Sequence, residues 1–128
     1  MTAVEEQRPR LAWLFFGWSG RLSRAPHALG WAFWLMVMSA AFTRVLTVSK
    51  DHPSFILWAL VFILAAVLST ISSLMLSIKR LHDMNLPAPL ILCLFVPALS
   101  FFALFVFLTW PGTRGPNEYG RIPDHPKD

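Results

Sequence analysis

From Phe55 to Ile78 the chain runs for 24 positions, FILWALVFILAAVLSTISSLMLSI, without a charged side chain, and Lys79-Arg80 follow at once. About 20 apolar residues cross the ~30 Å hydrocarbon core of a bilayer as a helix, and the remainder leaves room for tilt. A water-soluble helix needs a polar face, and this stretch has none wide enough to supply one. The pattern predicts a transmembrane helix.

Two further apolar runs flank it. The first starts near Ala28, is uncharged to Thr43, and extends to Val48 if Arg44 snorkels to the surface. Trp31 and Trp34 mark its start. Ser23 is placed to be its N-cap, and Pro26 suits a first helical turn, where backbone N–H groups lack partners anyway. The last run extends from about Leu86 to Trp110, with Pro87 and Pro89 at its beginning, Pro97 in its middle and Pro111-Gly112 at its end. A mid-helix proline removes a backbone bond and crowds the preceding turn, so a kink is expected at Pro97. A turn back at Pro97 is the alternative to a crossing. Ahead of all three runs, residues 11–20 are apolar but too short to span, and Trp13 and Trp18 suit a segment at headgroup level.

The expected fold is therefore all-α: a polytopic membrane protein with three transmembrane helices, up-down-up, at about 28–48, 55–78 and 86–110. Residues 1–10 read as a mobile polar N-terminus, 11–120 as a single membrane domain, and 121–128 as a polar C-terminal tail. In that arrangement Arg21, Arg24 and His27 share a membrane face with Lys79, Arg80, His82 and Asp83. The 44–54 loop and the tail lie on the other. The first face carries Arg8, Arg10, Arg21, Arg24, Lys79 and Arg80, and the second carries Arg44, Lys50, Arg114, Arg121 and Lys127. Six against five favours a cytoplasmic N-terminus by the positive-inside rule.

Composition agrees with lipid as the main solvent. Hydrophobic residues make up 55% of the 128 and charged residues 14%, against about 25% charged in a typical soluble domain. The net charge of +4 sits beside apolar spans, which points to membrane topology and anionic-lipid contact rather than nucleic acid. Cys93 is the only cysteine, so no intrachain disulfide forms, and its place inside an apolar run makes it a small packing residue.

Three sets of residues carry candidate chemistry. Ala65, Ser69, Ser73 and Ser77 recur every fourth position and share one helix face, where small side chains let helices approach and serines hydrogen-bond across. Helix packing is the main reading, within an oligomer if need be, and a polar pathway the other. In KRLHD, Arg80 and Asp83 are three apart and Lys79 and Asp83 four apart, which brings opposite charges together on a continuing helix. With Arg21 and Arg24 opposite, the set Arg21, Arg24, Arg80, His82 and Asp83 is either a polar cluster, net positive and able to hold a lipid phosphate, or an interfacial anchor. The GWSG string at 17–20 lacks the second glycine of a hydrolase elbow, so Ser19 reads as a turn residue. His27, His52, His82 and His125 show no metal-ligand spacing. No catalytic residue, cofactor or metal is expected.

GRLSR at 20–24, KRLHD at 79–83 and PGTRGPNEYG at 111–120, separated by apolar spans, resemble the family of small bacterial inner-membrane proteins typified by YhaH and YhaI, catalogued as a domain of unknown function. The resemblance covers roughly Phe15 to Pro123. Gly20, Arg21 and Arg24 match its first motif, although His27-Ala28 stands where an aromatic pair is usual. Arg80, Leu81, His82 and Asp83 match the second in full, and Gly112, Thr113, Gly115, Asn117, Tyr119 and Gly120 match the third. Glu118 occupies a position often basic, and Arg121-Ile122-Pro123 departs from the usual ending. The resemblance implies a multi-pass protein of the bacterial inner membrane and no particular chemistry. The function expected is that of a non-enzymatic structural or interaction protein, as an accessory subunit or homo-oligomer. The alternative is binding or transport of an anionic lipid or small solute.

Overall fold

The structure is a computed structural model that describes residues 11–124. The expected mobile N-terminus at 1–10, and His125 and Lys127 of the tail, lie outside the described residues. In chain order the elements are α1 (Leu11–Phe16), α2 (Arg24–Thr47), α3 (Phe55–Asp83), a 3₁₀ segment (Ala88–Phe95) and α4 (Pro97–Thr109). At 24 and 29 residues, α2 and α3 extend for about 36 and 43 Å at 1.5 Å per residue. Both are long and apolar enough to cross a membrane.

The short 48–54 connection makes α2 and α3 antiparallel neighbours, and their seam is built from small and hydrogen-bonding groups. Gly30 lies so close to α3 that a Cβ there would stand 2.7 Å from Leu76 Cδ1. Trp34 Nε1 donates to Ser72 Oγ at 2.7 Å, and His27 Nε2 lies 3.5 Å from Ser77 Oγ. Ala65 and Ser77 are buried, while Ser69 and Ser73 line a small gap opposite Trp31 and Trp34. Part of the small-residue stripe thus packs inside the chain itself, with Ser77 against His27 of α2 and Ser69 and Ser73 at the edge of the gap.

The third apolar run corrects the expected up-down-up arrangement. It divides at Val96, which is extended (φ −104°, ψ 116°), and α4 begins at Pro97. Proline at the first position of a helix costs nothing, because its missing N–H would have no partner there. Pro97 therefore starts a helix rather than kinking one. The 8-residue 3₁₀ arm and 13-residue α4 measure about 16 and 20 Å at 2.0 and 1.5 Å per residue, each short of the ~30 Å hydrocarbon core. The two arms form a hairpin that begins and ends at the same end of the α2–α3 pair. There Thr113 N–H donates to the Asp83 carbonyl at 2.6 Å, and Asp124 N–H to the Arg21 carbonyl at 2.8 Å. The tail does not lie opposite the KRLHD connector; the two are in contact. The ordered domain also continues beyond 120, since Asp124 accepts from Ser23 N–H at 2.7 Å and from Ser23 Oγ at 2.9 Å. Ser23 makes no capping bond of its own.

Burial is inverted relative to a water-soluble domain. The fully buried large side chains include Arg21, Arg80, Lys79 and His27, whereas Leu35, Ile56, Leu64, Phe101 and Phe105 are all more than half exposed. Such a surface suits hydrocarbon around the protein and polar groups within it. Helix association in this setting rests on close packing rather than on exclusion of water. Gly30→Leu should therefore lower stability in detergent by about 1–3 kcal/mol through overpacking against Leu76. Val67→Leu on the exposed side of α3 should leave thermal unfolding nearly unchanged.

Candidate functional site: a buried arginine–aspartate cluster

α3 does not stop at Ile78 but carries KRLHD as its last turn. This places Arg80 and Asp83 on one face, and Arg80 Nη1 meets Asp83 Oδ2 at 2.9 Å. The second carboxylate oxygen takes Arg21, whose Nε and Nη2 both lie 3.0 Å from Oδ1. Arg21 arrives there because Leu22 N–H donates to the Lys79 carbonyl at 3.0 Å, clamping the 20–23 segment against the end of α3. Both arginines are 0% exposed and Asp83 is 3% exposed.

Two guanidinium groups against one carboxylate leave an excess positive charge, and backbone carbonyls absorb it. Arg21 donates through Nη2 to Thr113 O at 2.5 Å and through Nη1 to Gly115 O at 2.7 Å and Gly120 O at 3.3 Å. Arg80 donates through Nε to Phe107 O at 2.8 Å, through Nη2 to Trp110 O, and through Nη1 to Leu22 O at 3.5 Å. Phe107 and Trp110 belong to the end of α4, where carbonyls lack helical partners and the dipole is negative. Arg24 adds a bond from Nη1 to Thr109 O at 3.1 Å. Arg80 and Arg24 therefore cap α4, while Arg21 binds the tail.

The tail motif has the shape this requires. Gly115 takes φ +74°, a conformation that favours glycine, and its carbonyl reaches Arg21. A Cβ on Gly112 would stand 1.9 Å from Asp83 Oδ2, so only glycine admits the chain there. Asn117 Oδ1 accepts from Tyr119 N–H at 2.8 Å, closing a turn, while Asn117 Nδ2 donates to the His82 carbonyl at 3.0 Å. Tyr119 stacks on His82, ring centroids 4.0 Å apart and planes 2° apart. His82 Nδ1 lies 3.0 Å from the Gly20 carbonyl, which only accepts, so this nitrogen carries the hydrogen.

The structure thus unites two groups that the sequence left apart. Arg21, Arg80, His82 and Asp83 meet Gly112, Thr113, Gly115, Asn117, Tyr119 and Gly120 in one cluster. Arg24 is at its exposed edge. Ala65, Ser69 and Ser73 lie deeper on α3, and Ser77 is one helical turn before Arg80. Lys79 does not pair with Asp83. Its ammonium donates to Trp13 O at 2.5 Å and to Leu14 O, and lies 4.3 Å from the Trp13 ring centroid. It holds α1 by its carbonyl end, and no spacing in the sequence announces that. Asp124 and Ser72 were also unmarked; Ser72 lies one position from Ser73 and so falls off the i,i+4 stripe.

Removing one partner of a buried ion pair costs about 3–5 kcal/mol, because the remaining charge is stranded. Asp83→Ala should lose stability in that range. Gly112→Ala should lose about 1–3 kcal/mol by displacing the same carboxylate. Arg21→Ala should speed tryptic cleavage at Arg114 and Arg121, whereas Arg24→Ala should not. Thermal unfolding in detergent and timed proteolysis check these outcomes.

Comparisons with known proteins concern the same stretch of chain. The family described as "Protein of unknown function (DUF805)" matches residues 15–121. "Inner membrane protein YhaI" of Escherichia coli strain K12 is 30% identical over 112 residues, covering 85% of this chain and 87% of its own length. The protein of that name in E. coli O157:H7 gives the same figures. No solved structure matches. The chain belongs to the DUF805 family of proteins of unknown function.

Proposed function

We propose that this inner-membrane protein is a non-enzymatic interaction component that presents its tail loop, residues 111–124, at the cytoplasmic surface. The observation that carries the reading is the spending of the buried cations. Arg21 and Arg80 direct their donors to Asp83 and to backbone carbonyls. A cluster so saturated supports a scaffold rather than a catalytic or phosphate-binding centre.

The same fold supports the orientation. With α2 and α3 as the two crossings, Arg21, Arg24, Lys79, Arg80, Arg114 and Arg121 fall at the tail end, and Arg44 and Lys50 at the other. Six against two supports a cytoplasmic tail end by the positive-inside rule. Arg44 stands 5.0 Å from the Trp58 ring centroid, a pair suited to the opposite interface.

A second reading is contact with anionic lipid. Arg24 and Arg114 are exposed at the tail end, as are Trp18 and Trp110, a pairing of cations and indoles suited to headgroups.

Two measurements test these readings. In a Cys93→Ala background, Lys50→Cys should react with an impermeant thiol reagent in intact cells with the outer membrane opened, and Glu118→Cys only after lysis. The reverse pattern would refute the orientation. Native mass spectrometry from mild detergent should show a defined complex, with a second copy or a protein partner, that Arg21→Ala abolishes. A monomer retaining only anionic lipid, lost in an Arg24→Ala/Arg114→Ala variant, would favour the second reading.

A further inference from the structure

A cavity of about 250 Å³ opens between α2 and α4, one helical turn from the arginine–aspartate cluster and separate from it. Ala28 and Ala32 of α2 face Leu104 and Leu108 of α4 across it, and His27, Trp31 and Leu35 complete its lining. No charged residue lines it. Two side-chain nitrogens here are buried without a hydrogen-bond partner, His27 Nδ1 and Trp31 Nε1. His27 is 1% exposed, and its ring is fixed on the far side by the Nε2 contact with Ser77 Oγ at 3.5 Å and by an edge-on contact with Phe107. Buried polar atoms without partners are rare, and each calls for an explanation. Both residues line this one cavity, one turn apart on α2, so one explanation can serve both.

We infer that this cavity is a binding site for an uncharged, membrane-soluble molecule that presents a carbonyl oxygen to Trp31 Nε1 and His27 Nδ1. Indole N–H only donates, so Trp31 demands an acceptor. Neutral imidazole donates from Nδ1 in the tautomer whose Nε2 accepts from the Ser77 hydroxyl. A carbonyl oxygen has two lone pairs and satisfies both donors at once. An absence of charge in the lining excludes an ionised headgroup from this position, and the aliphatic walls suit a lipid-soluble body. The two alanines leave room for a compact or flat group beside the oxygen. Neither nitrogen is exposed to solvent, so the ligand reaches them as the Trp31 indole turns aside from the held His27 ring. The carbonyl can come from an isoprenoid quinone or from the glycerol ester of a lipid, and the two share this chemistry.

The test uses the full chain in an ester-free maltoside detergent, titrated calorimetrically with decylubiquinone and, in parallel, with dioctanoylglycerol. At least one should saturate. Trp31→Phe keeps a ring and removes the donor, so it should weaken that ligand about tenfold, the worth of one hydrogen bond. His27→Phe should do the same, and its thermal unfolding reports whether the fold survives. Trp58→Phe, at the other end of the helices, should bind like the wild type. Saturation by the quinone alone, the acylglycerol alone or both identifies the source of the carbonyl. Failure of both to saturate, or an unchanged affinity in Trp31→Phe, would overturn the site.

Discussion

One carboxylate, that of Asp83, is held between two guanidinium groups where water does not reach. Each ion in such a place costs several kcal/mol to desolvate, and only close geometry with further hydrogen bonds compensates. The fold meets that demand by bringing carbonyls to the arginines. Those carbonyls come from the end of α4 and from the tail, so neither can lie elsewhere without stranding charge. The return of the last apolar run to its starting end is thus an electrostatic requirement as much as a consequence of Pro97.

The same device recurs around the cluster. Lys79 closes the carbonyl end of α1, and Arg80 with Arg24 closes that of α4. Helix C-termini are the negative ends of the macrodipole, so each cation meets a matched partner without a second carboxylate. A chain poor in acidic residues can bury cations in this way. The result is a rigid polar end from which α2, α3 and the hairpin extend into an apolar surround. The cavity lined by His27 and Trp31 lies just beyond it, between α2 and α4.

Much of this was legible in the sequence. The uncharged run from Phe55 to Ile78 announced α3, and the i,i+3 spacing of Arg80 and Asp83 announced their pair. The three motif strings named nearly every residue of the cluster. Their assembly was not legible. Leu86 to Trp110 has the length of a crossing, and hydropathy cannot distinguish one span from two arms of a hairpin. What decides it is the reach of Arg21 and Arg80 to Thr113, Gly115 and Trp110, a long-range matter that no local pattern records. The role of Lys79 was hidden likewise, because its nearest acid in sequence, Asp83, is taken by the arginines.

The most direct test is the distance between the α3 terminus and the tail. Spin labels on cysteines at Asn85 and Glu118, in a Cys93→Ala background, can be measured by pulsed dipolar spectroscopy in lipid nanodiscs. A tail folded back on Asp83 predicts a single separation well below the ~30 Å hydrocarbon thickness. A separation at or above that thickness would mean that the last run crosses the membrane, and would contradict the shared cluster on which the account rests.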